Sequence, residues 1–266
     1  MLDLGEARKV ALFGGTYNNW LALEATVAHA RAQGVDELVF LGDAGGFGPH
    51  PDRTVERLRT LGIRSIQGNY DDSVGHGLED CQCGYTDPRD NEFAQISYDY
   101  TLSNTSVEHR AWLAALPTSG LIRMAGKRVR LCHGSPRRVN EFLWQSTTPD
   151  GFIGRLCDED DVDVIACTHT GIHWQRWLED GRGIINVGAI GRPPNNGRTE
   201  VFYAILEAND GHLSNRFVPL AYEHERLAAE MDEEGLPQEF SETIRTGWWT
   251  TCLEILPARE RSRGQF

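Results

Sequence analysis

The chain has 266 residues, of which 40% are hydrophobic and 24% charged, and its 26 basic and 39 acidic residues give a net charge of −13. This composition predicts a globular protein with a sizeable core and excludes intrinsic disorder. The acidic balance would repel a nucleic-acid backbone or an anionic membrane, so neither a nucleic-acid polymer nor a membrane is an expected partner.

The first residues, Met1 to Glu6, have neither the basic nor the apolar region of a signal peptide, and no apolar stretch approaches the roughly 18 residues of a membrane span. We therefore expect a cytoplasmic protein. Its six cysteines are too few and too scattered for a disulfide scaffold, so reduced thiols are expected. Cys81 and Cys83, with one residue between them, lack the zinc-knuckle spacing and are expected to have a structural role.

Short apolar runs alternate with longer amphipathic ones, which predicts strands joined by crossover helices and an α/β fold. Strands are predicted at Lys9–Phe13, Glu37–Leu41, Arg64–Gln67, Arg128–Cys132, Asp163–Cys167, Gly183–Val187 and Val201–Leu206, and helices at Leu21–Ala32, Pro51–Leu61 and Ser106–Leu116. Residues 72–105 lose this periodicity and predict an ordered insertion near a functional site. Residues 223–266 predict a helical tail, broken at Gly235–Pro237, with a frayed arginine-rich end. Without repeats or linkers, residues 1–266 are expected to form a single domain.

Polar side chains follow four of the predicted strands, at the point where each strand ends. They are Asp43, Asn69, His133 and His169. Because ligands bind at the carboxyl ends of strands in an open α/β sheet, we expect these side chains to converge. One carboxylate, one amide oxygen and two imidazoles suit Mn, Fe or Zn rather than Ca. Taken singly, each residue is better explained as a helix cap or a turn residue, and it is their shared position at strand ends that favours a common site.

Five motifs in the right order resemble those of calcineurin-like metallophosphoesterases, most closely the small bacterial branch of YfcE-like or diadenosine tetraphosphatase-like phosphodiesterases. They are Leu41-Gly-Asp-Ala-Gly-Gly-Phe-Gly-Pro-His-Pro51, Gly68-Asn-Tyr-Asp71, Cys132-His-Gly-Ser-Pro-Arg137, Thr168-His-Thr170 and Asn186-Val-Gly-Ala-Ile-Gly-Arg-Pro193. The resemblance covers about residues 8 to 240. It implies a two-sheet β-sandwich flanked by helices, with two metal ions that activate water against a phosphoester.

The same resemblance implies a degenerate first metal position. Where the family has Asp-x-His-Gly-Asn, this chain has Gly15-Thr-Tyr-Asn-Asn19, and where the family has Gly-His-Thr-His, it has Thr168-His-Thr-Gly171. Three ligands of one position are therefore missing, whereas Asp43, Asn69, His133 and His169 would complete the other. A centre with one divalent transition metal is expected.

Tyr17, Tyr70 and Asp43 are the candidate catalytic residues. Tyr17 replaces the histidine of the first family motif, where it either contacts the substrate or fills the vacated space. A phenol in either position can donate a hydrogen bond to a leaving oxygen, although a pKa of about 10 makes it a weak acid. Candidate substrate-binding residues are Asn19, His50, Arg137, His173 and Arg192, for which capping, surface exposure or aromatic packing are the alternatives.

Three functions are compatible with these residues. The first is a metal-dependent hydrolase of a phosphoester or phosphodiester on a small or nucleotide-like metabolite. The second is a mononuclear Fe or Mn enzyme with chemistry other than phosphoester hydrolysis. The third is an inactive pseudophosphatase that binds a nucleotide or a partner protein. Retention of all four ligands of one position favours an enzyme. A homo-oligomer is compatible with all three functions.

Overall fold

A computed structural model describes residues 1–262 of the chain, which form eleven strands and nine helices. The strands are β1 (Leu2–Glu6), β2 (Lys9–Phe13), β3 (Glu37–Phe40), β4 (Arg64–Ser65), β5 (Gly120–Met124), β6 (Lys127–Leu131), β7 (Val164–Cys167), β8 (Trp174–Trp177), β9 (Gly183–Asn186), β10 (Val201–Asn209) and β11 (His212–Leu220). The helices are α1 (Trp20–Ala32), α2 (Pro51–Thr60), α3 (Asn69–His76), α4 (Pro88–Ser103), α5 (Val107–Ala114), α6 (Asp150–Asp160), α7 (His224–Glu233), α8 (Gln238–Thr246) and α9 (Ala258–Arg261).

Two mixed sheets face each other. One has the strand order β1-β5-β6-β7-β9-β8 and the other β11-β10-β2-β3-β4. Within each sheet the central strands run parallel, β6 with β7 and β9 in the first and β2 with β3 and β4 in the second. Parallel strands place their carboxyl ends at the same edge, so the loops that follow them meet there.

Strand β2 shows why these residues form a sandwich covered by helices. Val10 and Leu12 pack into the layer between the sheets, whereas Ala11 and Phe13 face the helices on the opposite side. Successive side chains of a strand point to opposite faces, so a strand buried on both faces is apolar throughout. The α/β fold with a two-sheet β-sandwich flanked by helices, expected from the sequence, is confirmed.

Helices α1 to α5 pack on the outer face of the five-stranded sheet, and α6 packs on the outer face of the six-stranded sheet. Helices α7 and α8 lie apart from both layers, against Trp20, Leu21 and Phe47. The break expected at Gly235–Pro237 separates α7 from α8. At the arginine-rich end α9 covers Ala258–Arg261, and residues 263–266 lie outside the described part of the chain.

The segment 72–105 is more regular than its sequence predicts. Helix α3 continues to His76, and α4 then spans 16 residues from Pro88 to Ser103. Asp87 caps α4 by accepting the backbone N–H of Arg89, and Pro88 occupies the first turn, where its missing N–H is harmless. Helix α4 was not predicted, because it is covered on more than one side, by α3 and by the C-terminal residues, and its apolar residues therefore lack the spacing of a single buried face.

The expectation of reduced thiols is wrong for one pair. Cys81 and Cys83 form a disulfide, with their Cα atoms 5.3 Å apart. Gln82 between them has a left-handed backbone (φ +52°), which turns the two side chains toward each other. The other cysteines described, Cys132, Cys157, Cys167 and Cys252, are free and buried. None of the helices within residues 1–262 is both long and apolar enough to cross a membrane.

Candidate metal centre

The four strand-end residues reach one edge of the sandwich from both sheets. Asp43 follows β3, Asn69 begins α3 just after β4, His133 follows β6 and His169 follows β7. Asp43 and His169 both have left-handed backbones, with φ +67° in each case. Non-glycine residues rarely adopt this conformation, and when they do they cluster at functional sites. The chain therefore reverses sharply at both positions and directs the side chains back over the strand ends.

Asp43, His133 and His169 each offer one ligand atom, and these atoms all lie within 4.8 Å of one another. Nε2 of His133 lies 3.1 Å from Oδ2 of Asp43 and 3.1 Å from Nδ1 of His169. Nδ1 of His133 lies 2.8 Å from the carbonyl oxygen of Leu41, to which it donates its proton. This hydrogen bond orients the ring so that Nε2 faces the cluster, as a metal ligand requires.

Asn69 supplies a fourth candidate ligand atom. Its amide nitrogen donates to the carbonyl oxygen of Cys81 at 2.8 Å and contacts Sγ of Cys83 at 3.5 Å. Its amide oxygen is buried and has no hydrogen-bond partner. Buried polar atoms are nearly always paired, so this orphaned oxygen indicates a missing electropositive partner. Carboxylate, imidazole and amide donors together fit a divalent transition metal.

Burial and mutual contact set the charges of the cluster. Although burial opposes ionisation of both groups, the ion pair holds the pKa of Asp43 below its usual value and raises that of His133. Burial and the neighbouring His133 lower the pKa of His169 to about 3, so this ring is neutral. A neutral imidazole beside a carboxylate is the ionisation state that metal binding needs.

Asp71 supports the loop that carries Asp43. Its carboxylate accepts three backbone N–H groups, from Asp43, Ala44 and Gly68, each at 2.8 Å. Burial and the charge of Asp43 raise the pKa of Asp71 to about 6, against the effect of these hydrogen bonds. The backbone N–H of Tyr70 donates to Oδ1 of Asp43 at 3.0 Å, so both oxygens of Asp43 have fixed directions.

A cavity adjoins the cluster and is lined mostly by aromatic residues. Its walls are Tyr17, Asp43, Gly46, Phe47, Tyr70, Cys83, Tyr85, Phe93, Ala94, Ser97, His169, Arg192, Phe240 and Cys252. The cavity volume accessible to water is about 50 Å³. That is room for about four water molecules or a phosphoryl group. A larger substrate extends beyond the cavity as it stands or requires its walls to move.

Both candidate catalytic tyrosines line this cavity, but their hydroxyl groups differ. The hydroxyl of Tyr70 donates to Oγ of Ser97 at 3.0 Å and lies 3.4 Å from the carbonyl of Ala94. The hydroxyl of Tyr17 makes no hydrogen bond with the described residues. Burial raises the pKa of both phenols, although the charge of Arg192 offsets part of the effect at Tyr17. Both therefore stay protonated near neutral pH.

Arg192 also lines the cavity and is only 6% exposed. Its guanidinium carbon lies 3.5 Å from the ring centroid of Trp249, 5.3 Å from that of Phe47 and 5.8 Å from that of Tyr17. Nε is buried without a hydrogen-bond partner, and no carboxylate within residues 1–262 forms an ion pair with this side chain.

The other four candidate substrate-binding residues do not line the cavity. Asn19 caps α1, accepting from the N–H of Ala22, and its amide donates to the carbonyl of Gly191 at 3.2 Å. His50 lies 3.4 Å from Glu230 of α7, and Arg137 pairs with Glu141 on the surface. His173 stacks on Phe202 and Phe217, with centroid distances of 4.2 and 4.7 Å.

Sequence reasoning missed the residues that close the cavity from the C-terminal side. Phe240 of α8 and Cys252 line it, and Trp249 holds Arg192. Trp249 is fully buried and donates from its indole to the carbonyl of Pro193 at 2.6 Å. The available signal was two adjacent tryptophans, Trp248 and Trp249, directly after a helix, where an unstructured tail would be polar.

Carboxylate, amide and imidazole donors gathered at the strand ends of a two-sheet α/β sandwich are typical of a metallophosphoesterase. A model of the calcineurin-like phosphoesterase superfamily domain matches residues 9–211, and the chain belongs to this superfamily. The family predicted from the five motifs is confirmed. The protein is accordingly a metallophosphoesterase-like hydrolase, and the family implies dependence on a divalent metal.

Three similar proteins extend over nearly the whole chain. A metallophosphoesterase from Sphaerobacter thermophilus is 26% identical, with a TM-score of 0.68 over 91% of this chain and 99% of that one. The protein PH1004 from Pyrococcus horikoshii OT3 shares the fold, with 18% identity and a TM-score of 0.75 over 91% of this chain and 99% of that one. The protein MJ0912 from Methanocaldococcus jannaschii is 23% identical over 250 residues, 90% of this chain and 98% of its own.

Proposed function

We propose that the protein hydrolyses a phosphoester or phosphodiester bond of a small or nucleotide-like metabolite, using one divalent transition metal held by Asp43, Asn69, His133 and His169. The convergence of three possible ligand atoms, beside the unpartnered amide oxygen of Asn69, carries this proposal. Oδ2 of Asp43 and Nδ1 of His169 both approach Nε2 of His133 at 3.1 Å in a buried space. A proton on Nε2 of His133 pairs this ring with Asp43, and a divalent cation would replace that proton and also satisfy the amide oxygen of Asn69.

A single metal position is supported by the residues around the cavity. Within residues 1–262, Asp43, His133 and His169 form the one group of at least three histidine, cysteine, aspartate or glutamate side chains with ligand atoms this close. At Gly15 an added Cβ would lie 2.7 Å from the ring of Tyr17, and at Gly171 it would lie 3.2 Å from the ring of Trp249. A side chain at position 15 would therefore collide with Tyr17, and one at position 171 would require the ring of Trp249 to shift. The family resemblance predicts ligands of the other metal at both positions.

A divalent metal in this site would supply Lewis acidity, withdrawing electron density from a phosphoryl oxygen and lowering the pKa of water. The chain's own residues then orient the reaction. Asp43 is fixed through Tyr70 and Asp71, and His133 through the carbonyl of Leu41. Tyr17, whose hydroxyl is protonated and uncommitted, is placed to donate a hydrogen bond to the leaving oxygen.

The first experiment is elemental analysis of the purified, untagged protein with three variants. We expect about one equivalent of Mn, Fe or Zn per chain in the wild type. His133→Ala and His169→Ala should each weaken metal binding at least about 10-fold, because each removes a ligand. His173→Ala is the matched control: this histidine is four residues from His169 but packs on Phe202 and Phe217 instead. Equal metal content in His169→Ala and wild type would refute the assigned centre.

The second experiment measures hydrolysis by the metal-loaded protein. Bis(4-nitrophenyl) phosphate tests phosphodiesters and 4-nitrophenyl phosphate tests phosphomonoesters, followed by a panel of nucleotides. Metal-dependent turnover that disappears in His169→Ala supports the proposal. One equivalent of metal with no turnover of any phosphoester would instead favour the mononuclear enzyme with other chemistry. Absence of metal, and failure to acquire any, would favour the binding protein.

A further inference from the structure

We propose that the guanidinium of Arg192 is the second cation of this centre and binds a phosphoryl oxygen of the substrate, in place of a second metal ion. This inference rests on the proposed function, because it assigns the anion-binding half of the same site.

Arg192 is a buried positive charge without an anionic partner. Its side chain is 6% exposed, Nε has no hydrogen-bond partner, and no carboxylate of residues 1–262 is in ion-pair contact with it. Arginine carries five N–H donors, and buried charges are normally paired. The faces of Trp249, Phe47 and Tyr17 attract the cation but accept few of its hydrogen bonds. The donors are therefore available to a ligand.

The guanidinium faces the same cavity as the metal ligands. Arg192, Asp43 and His169 all line this space, which has room for a phosphoryl group and little more. The only other charged side chain in its walls is Asp43, which contacts His133 and is directed toward the metal position. An anion entering the cavity thus meets the metal site on one side and Arg192 on another.

Arg192 lies beside two positions where the family resemblance predicts metal ligands that this chain lacks, Tyr17 and Gly171. A Cβ atom on Gly171 would lie 3.8 Å from Nη2 of Arg192, and the ring of Tyr17 lies below the guanidinium at 5.8 Å. Gly191, next to Arg192, has room for no side chain, since an added Cβ would lie 2.5 Å from Cβ of Tyr17. The backbone before Arg192 is therefore held close to the first motif, which directs the arginine into this space.

The chemistry of a guanidinium suits this role. It remains protonated at any working pH, it binds phosphate with two parallel N–H···O bonds, and its plane stacks on aromatic rings. A charge held rigidly by Trp249 needs no reorganisation when negative charge grows on the phosphoryl oxygens, so it stabilises the transition state more than a solvated charge does. One metal and one arginine would together neutralise the oxygens that a two-metal site clamps between its ions.

The test is a titration of inorganic phosphate into metal-loaded protein, with the affinity measured by isothermal calorimetry. Arg192→Met keeps the length and apolar packing of the side chain but removes its charge, and we expect phosphate affinity to fall at least about 30-fold. Arg192→Lys keeps the charge but lacks the two parallel N–H donors of a guanidinium, and its phosphate affinity should fall about 5-fold to 10-fold. The metal affinity of both should remain within about 3-fold of wild type. Arg155→Met, which removes an exposed arginine of α6, is the matched control and should change neither affinity.

Chemical rescue gives an independent readout. Arg192→Ala opens the space beside Trp249, and methylguanidinium added to it should restore part of the phosphate affinity, whereas methylammonium should restore less. If Arg192→Met lowers the melting temperature too far, Arg192→Gln and this rescue replace it. The proposal is overturned if metal-loaded Arg192→Met or Arg192→Gln binds phosphate as tightly as wild type, or if metal-loaded wild type binds none. Failure of the proposed function is distinguished by metal content and turnover, because it would leave the wild type without a bound ion or without hydrolysis of any phosphoester.

Discussion

The carboxylate of Asp71 accepts the backbone N–H of Asp43 at 2.8 Å and so holds this candidate metal ligand in a left-handed backbone conformation. The same carboxylate also binds the N–H groups of Ala44 and Gly68, which join the loop after β3 to the start of α3. One side chain that touches no ligand atom therefore fixes the separation between Asp43 and Asn69.

We expect Asp71→Asn to destabilise the protein and to weaken metal binding together. An amide has one acceptor oxygen and brings two donors against backbone N–H groups, so at least one buried hydrogen bond is lost, at about 1–3 kcal/mol. Urea unfolding and metal titration measure the two effects. Asp72→Asn changes the adjacent, half-exposed aspartate and serves as the control. Unchanged metal affinity in Asp71→Asn would show that the loop keeps its geometry without the carboxylate.

Tyr17→Phe should lower kcat by about 10-fold to 100-fold, with little change in KM, because it removes a donor to the leaving oxygen. Tyr70→Phe should mainly reduce stability, by about 1 kcal/mol, since the hydroxyl of Tyr70 is already bound to Ser97. Steady-state kinetics and thermal unfolding separate the two. If Tyr17→Phe retains full kcat, Tyr17 fills space in the cavity and takes no part in catalysis.

The free energy of unfolding should decrease as the pH is lowered, because His173 becomes protonated. Burial lowers the pKa of this histidine from its usual 6.5 to about 4. As the pH falls below 6.5 the unfolded chain takes up a proton first, so stability is lost between about pH 6.5 and 4, by at most about 3 kcal/mol. Above this window the contribution is fully present.

His173→Phe should flatten that pH dependence while keeping the stacking on Phe202 and Phe217. His212→Gln, at the exposed start of β11, should leave the slope as in wild type. Urea unfolding free energies at several pH values measure it, and identical slopes in His173→Phe and wild type would contradict the assignment.

The Cys81–Cys83 disulfide should influence metal binding through Asn69, whose amide contacts both cysteines. We expect Cys81→Ser/Cys83→Ser to bind metal about 10-fold more weakly, a typical loss when the partner of a ligand is disturbed. A phosphine reductant should produce the same change in wild type and none in the variant. Cys157→Ala, which removes a distant free thiol, is the control. Unchanged metal affinity of the wild type after reduction would show that the disulfide does not influence the candidate metal site.

The sequence predicts the strand-end positions of the candidate ligands well, because strand ends are local features. A run such as Val39 to Leu41 followed by Gly42 and Asp43 indicates both the strand and the edge at which it stops. The convergence of Asp43, His133 and His169 follows from the parallel strands, and the structure brings their ligand atoms together. The edge strands β1, β8 and β11 were not predicted, since half-exposed strands lack the continuous apolar runs of β2 and β7. The inner strand β5 was not predicted either, because Gly120 and Arg123 interrupt its apolar run.

The cavity could not be predicted in the same way, because its walls are far apart in sequence. Phe47, Phe93 and Phe240 meet only after α4 and α8 have packed against the motif loops. Arg192 was a candidate from its motif, but its stacking on Trp249 joins residues 57 positions apart and has no local signal. His173 shows that closeness in sequence can also mislead. It lies four residues after His169, which predicts a shared site, but its ring packs on Phe202 and Phe217 instead.

The family match ends at residue 211, yet the residues that close the cavity come after it. A fragment limited to the matched region would keep every candidate ligand and lose Phe240, Trp249 and Cys252. Water would then reach Arg192, and its charge would be screened as at any surface. Replacement of the C-terminal helices alone would therefore be enough to change which substrates the cavity accepts. Two relatives that share the same candidate metal ligands need not share a substrate.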